Sequence, residues 1–144
     1  MPMKIFLDAN IIFSASQLQS PSWQLLDRLS KNATLITHTA VWDEAQRNLL
    51  LKRPAWSAGL DYWRERVIQS QMIGPCPDAG LPPKDAPILA AAIASKADRL
   101  LTGDLKHFGH LYGRTFQGVL IVSPRLLSEE IVNLGWTTID QGLI

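Results

Sequence analysis

Asp8, Glu44, Asp85 and Asp104 have the types and positions to do chemistry together. Asp8 closes the apolar run Lys4-Ile5-Phe6-Leu7, and Asp104 follows Arg99-Leu100-Leu101 after Thr102 and Gly103. If both runs are parallel strands, both carboxylates project from the same edge of a sheet, where open α/β folds keep their functional crevice. Asp85 opens the Ala-rich stretch DAPILAAAIASKA, and joins them only if that helix begins at the same edge. The fourth acid must be chosen between neighbours. On a helix advancing about 100° per residue, Val41, Ala45, Asn48 and Leu49 form an inward stripe, with Glu44 at its border and Asp43 nearly opposite. A glutamate beside a core face loses hydration, and a cation compensates it. Oxygen donors without clustered His or Cys suit Mg²⁺ or Mn²⁺ rather than zinc.

Each acid also has a plain structural reading. Asp8 can cap a strand end, Asp85 can be a helix N-cap, Asp104 can end a turn, and Glu44 can sit in solvent. Four such residues at corresponding places of one α/β pattern are harder to explain as caps. Lys84, Lys106 and His107 are the candidate substrate-binding groups nearest the acids, while Arg47 reads as a surface charge and His38 and His110 as structural or surface residues.

The elements that must hold these groups follow from periodicity. Buried strands are expected at 4–7, 33–38, 99–101 and 119–122. Helices are expected at 21–30 after Ser20-Pro21, at 40–51 with Thr39 as N-cap, at 55–70, at 85–97, and at 125–134. Trp56, Leu60, Trp63 and Val67 share one stripe of the third helix, which can serve the core or close a homodimer. The segment 74–83, GPCPDAGLPP, interrupts regular structure. Such alternation calls for a parallel sheet covered by helices on both faces.

The chain has 144 residues, 47% of them apolar, which suits one domain with its own core. Fourteen basic against thirteen acidic residues leave a net charge of +1, so no global basic field draws nucleic acid and any binding must be local. The single cysteine, Cys76, excludes an internal disulfide and a cysteine-based zinc site. Neither a signal-like segment nor a membrane-length apolar run is evident, so the expected location is cytoplasmic.

From Lys4 to Pro124 the sequence resembles the PIN-domain nucleases, and among them the small prokaryotic proteins that include VapC-type toxins. The resemblance is carried by Phe6-Leu7-Asp8-Ala9-Asn10, the helix around Glu44, the block Lys84-Asp85-Ala86-Pro87-Ile88-Leu89-Ala90, and Asp98-Arg99-Leu100-Leu101-Thr102-Gly103-Asp104. It implies an α/β three-layer sandwich with a five-stranded parallel sheet in the order 3-2-1-4-5, its third strand matched to the short segment 71–73, spanning residues 1–144 as one domain. The helix and tail at 125–144 carry less of the resemblance. By similarity Asp8, Glu44, Asp85 and Asp104 are the catalytic and metal-binding acids, Asn10 and Thr102 support them, and the cofactor is Mg²⁺ or Mn²⁺. The implied activity is hydrolysis of RNA phosphodiesters, with a homodimeric assembly and a small antitoxin protein as partner. Two other readings remain open: a PIN-fold module that binds RNA or protein without cutting, and a haloacid-dehalogenase-like phosphatase. The phosphatase needs a second aspartate two residues after the first, and Asn10 stands there.

Overall fold

A computed structural model describes residues 2–136. Five strands run parallel: β1 (Met3–Leu7), β2 (Ala33–His38), β3 (Val67–Ser70), β4 (Arg99–Leu101) and β6 (Val119–Val122). A two-residue strand, β5 (Thr115–Phe116), adds an antiparallel edge beside β6. The sheet order is β3-β2-β1-β4-β6-β5. The five parallel strands therefore keep the expected 3-2-1-4-5 order, but the sheet has six strands rather than five. The extra one arises because Gln117 and Gly118 both adopt positive φ, the geometry of a tight two-residue hairpin. Gln117 is not one of the Asn, Asp or Gly residues by which such a turn is normally read.

Among the described residues seven α-helices accompany the strands: α1 (Ala9–Ala15), α2 (Pro21–Ser30), α3 (Thr39–Lys52), α4 (Ser57–Arg64), α5 (Ala86–Ala94), α6 (Leu105–Phe108) and α7 (Pro124–Asn133). Right-handed crossovers put the helices that follow β1 and β2 on one face of the sheet and α5, which feeds β4, on the other. Ile5, Phe6, Leu7, Leu100, Leu101 and Ile121 are completely or almost completely buried, so the central strands read as unbroken apolar runs because both faces are covered.

Two sequence expectations change. The 55–70 helix is in fact a 3₁₀ turn (Pro54–Trp56), then α4, then β3, so the third strand lies at 67–70 and not at 71–73. Val67 fits the helical spacing from Trp63, yet the β-branched pair Val67-Ile68 prefers the pleated edge beside Leu35 and Ile36. The Trp stripe is core: Leu60, Trp63 and Val67 are buried, and the Trp63 indole donates to the Ala15 carbonyl at 2.8 Å. Trp56, the fourth member, is half-buried and packs edge-on against Phe13. Packing here is close enough that only glycine fits at 59, where a Cβ would lie 1.8 Å from the Ser16 carbonyl oxygen. The second change is α1, a helix the periodicity did not announce. Asp8 starts it by accepting the Ala9 N–H at 2.7 Å. The helix α3 is capped not by Thr39 but by His38, whose Nδ1 accepts the Ala40 N–H at 2.9 Å. Of the expected tail at 136–144, residues 137–144 lie outside the described residues.

Candidate active site

Three strand ends set the site. The Asp8 N–H donates to the Leu101 carbonyl and the Thr102 N–H to the Val122 carbonyl, both at 3.1 Å, so the parallel ladder continues one residue past each strand. This brings Asp8 beside Thr102. Thr102 Oγ1, fully buried, donates to Asp8 Oδ2 at 2.8 Å and accepts the Asp104 N–H at 3.1 Å. Asn10 ties the two segments again: its Nδ2 donates to Asp8 Oδ2 at 3.2 Å, and its Oδ1 accepts the Gly103 N–H at 2.8 Å. With its side chain so engaged, Asn10 replaces the second acid a haloacid-dehalogenase-like phosphatase requires.

Asp8, Glu44, Asp85 and Asp104 all line one open cavity of about 360 Å³ at the carboxyl edge of the sheet. Its walls come from the start of α1, the length of α3 and the entrance to α5. Asp85, Asp104 and His107 each offer a possible ligand atom, and these atoms lie within 4.8 Å of one another. Glu44 is exposed on the rim, while Asp85 is buried where the chain enters α5. Asp43 does not line the cavity. The inward stripe of α3 is Val41, Trp42, Ala45 and Leu49, with Asn48 half-buried beside it.

The electrostatics are strained in the way a cation relieves. Burial pushes the Asp8 carboxyl above the ordinary carboxylate range, with the Glu44 charge adding to the rise and hydrogen bonds from Thr102, Ala9 and Asn10 opposing it. Asp104 goes the other way. Its burial raises it, but hydrogen bonds from the His107 ring and backbone, with the charges of His107 and Lys84, lower it overall. Asp85 Oδ2 is buried and has no hydrogen-bond partner. His107 Nδ1 approaches it to 3.2 Å without making a hydrogen bond, because the ring nitrogen is committed to Asp104 Oδ2 at 2.8 Å. A buried carboxylate oxygen left in this state is unfavourable unless an ion or proton completes it. Hard oxygen donors and an unpartnered buried oxygen fit Mg²⁺ or Mn²⁺. Behind the site, Tyr112 donates its hydroxyl to the Thr102 carbonyl at 2.8 Å, and burial, Asp104 and Asp8 raise its pKa.

The expected substrate-binding groups divide. Lys84 lines the cavity, but Lys106 is exposed and does not, because Asp104 N-caps α6 and turns His107, not Lys106, back toward the acids. His107 therefore faces carboxylates instead of a substrate path. Lys52 and Asn48 were missed, although both line the cavity. Their spacing of four and eight residues from Glu44 puts them on its helix face, a signal present in the sequence.

No family model and no curated protein matches the chain. Among solved structures, it matches a chain of VapBC2 from Rickettsia felis, from the crystal structure of that protein bound to a DNA fragment from their promoter. The TM-score is 0.62 at 20% identity, covering 84% of this chain and 98% of that one. This chain has a VapC-type PIN fold. Asp8 and Asp104 stand beyond neighbouring strands because the chain winds out from β1 to β3 and then returns on the other side of β1 as β4. Among the described residues no helix is long and apolar enough to cross a membrane.

Proposed function

We propose that the protein is a divalent-metal-dependent ribonuclease that hydrolyses RNA phosphodiesters, and that it acts as the toxin of a toxin–antitoxin pair. The observation that carries this reading is the four-carboxylate wall of one open cavity in a PIN fold, with a buried Asp85 oxygen that has no hydrogen-bond partner. In this reading Asp8, Asp85 and Asp104 hold the principal ion, and Glu44 completes the donor set from α3. A bound Mg²⁺ or Mn²⁺ supplies Lewis acidity toward a phosphate and toward water. Thr102 and Asn10 fix the Asp8 carboxylate so that its oxygens do not reorganise as charge develops. Lys52 and Lys84 attract the RNA backbone to a cavity that is otherwise anionic. In the net reaction water adds to phosphorus as the bond to a ribose oxygen breaks, and the proton ends on that oxygen.

The antitoxin is a small protein whose cationic side chain enters the acidic cavity and pairs with the carboxylates, closing it to RNA. Support comes from the VapBC2 likeness in fold and from the sign of the cavity's charge. The test is cleavage of mixed RNA substrates with Mg²⁺ or Mn²⁺ by the parent, Asp8→Asn and Asp104→Asn. Cleavage by the parent alone, and only with metal, is expected. Equal activity in all three would remove the assigned site, and stoichiometric Mn²⁺ binding without cleavage of any RNA would make the chain a binding module.

A further inference from the structure

His107 shares a cluster of possible ligand atoms with Asp85 and Asp104, and the roles above leave it unused. Its Nδ1 stands 2.8 Å from Asp104 Oδ2 and 3.2 Å from Asp85 Oδ2. Adjacent donors of an octahedral ion, each at about 2.1 Å, lie about 3 Å apart, so these three atoms already have the spacing of neighbouring ligands. The position is over-determined: the His107 N–H also donates to Asp104 Oδ1 at 3.1 Å, so backbone and ring are both tied to the same carboxylate. The independent sign of a missing occupant is Asp85, only 6% exposed, whose unpartnered Oδ2 points into this cluster.

We infer that His107 Nδ1 is a nitrogen ligand that completes an ion site with Asp85 and Asp104 and biases it toward Mn²⁺ over Mg²⁺. The inference rests on the metal-site reading above and deepens it. Mg²⁺ demands oxygen donors and keeps its waters, whereas Mn²⁺ accepts an imidazole nitrogen more readily. In the ion-free chain Nδ1 is hydrogen-bonded to Asp104 Oδ2, with Asp85 Oδ2 3.2 Å away. With the ion bound, the neutral ring carries its proton on Nε2 and turns the Nδ1 lone pair inward. The other two histidines are engaged elsewhere: His38 caps α3, and His110 Nε2 lies 3.3 Å from the Ala79 carbonyl.

The test is pulsed electron paramagnetic resonance of the full chain with one equivalent of Mn²⁺, read for nitrogen coupling to the ion. The parent is expected to show the coupling of one directly bound imidazole, and His107→Gln to lose it, with His38 and His110 still present. By calorimetry the ratio of Mn²⁺ to Mg²⁺ affinity falls about tenfold in the variant, the lower end of what loss of a group supporting a metal site does. Mn²⁺ bound without nitrogen coupling in the parent overturns this inference and leaves the carboxylate site standing. Coupling that persists in His107→Gln overturns it as well. Absence of any Mn²⁺ binding removes both. The parent spectrum decides even if the variant folds poorly.

Discussion

Replacing Thr102 by valine keeps the shape of a fully buried side chain and deletes one hydroxyl. That hydroxyl donates to Asp8 Oδ2 and accepts the Asp104 N–H. The first bond is to a charged, buried group and contributes about 1.5–3 kcal/mol, and the second leaves a backbone donor without its acceptor, for a combined loss of about 2–4 kcal/mol. At about 3 °C per kcal/mol for a domain of this size, the metal-free melting temperature falls by roughly 6–12 °C. Thr102→Ser keeps the hydroxyl and loses one methyl, about 1 kcal/mol, so it should melt well above Thr102→Val. Differential scanning calorimetry in chelator at neutral pH reads both. The valine variant also loses a donor that holds the Asp8 carboxyl down, so its Mn²⁺ affinity should fall further than that of the serine variant. A valine variant within about 0.5 kcal/mol of the parent, or more stable than the serine variant, would refute the view that Thr102 ties the two acids together.

Three further outcomes are expected. Asp8 is harder to ionise folded than unfolded, so the folded chain holds that proton to higher pH, and metal-free stability declines as pH rises from the ordinary carboxylate range through the raised Asp8 value. Asp8→Asn should flatten this decline while abolishing RNA cleavage; a denaturant midpoint that falls with pH as steeply as the parent's would contradict it. Gly59→Ala forces a methyl into the Ser16 carbonyl and should destabilise the chain by at least about 3 kcal/mol in urea unfolding, and a smaller change means α1 and α4 are not so tightly apposed. Lys52→Ala and Lys84→Ala should each reduce the slope of log affinity against log salt for single-stranded RNA by about 0.7 without changing the melting curve, and unchanged slopes would take these lysines off the RNA path.

The parallel part of the fold was legible because its strands are buried on both faces, so 4–7, 33–38, 99–101 and 119–122 stand out as apolar runs whatever their neighbours. The edges were not. Thr115–Phe116 and Val67–Ser70 are short and partly exposed, the first ends in a hairpin turn with Gln117 at positive φ, and periodicity over so few residues does not separate strand from helix. The positions of Asp8 and Asp104 followed from strand ends, and that of Asp85 from the start of the Ala-rich helix. Glu44 followed from helical phase. The orientation of His107 did not, because it depends on Asp104 capping a four-residue helix, a contact that spacing alone does not disclose. Lys52 was within reach of the same helical arithmetic that selected Glu44, applied two turns further along α3.

Anomalous scattering from crystals grown with Mn²⁺ addresses the account at its centre. A peak in the cavity, in contact with oxygens of Asp8, Asp85 and Asp104, is the predicted result. An ordered cavity with no peak at saturating Mn²⁺, or manganese bound only at a site away from these carboxylates, would contradict it.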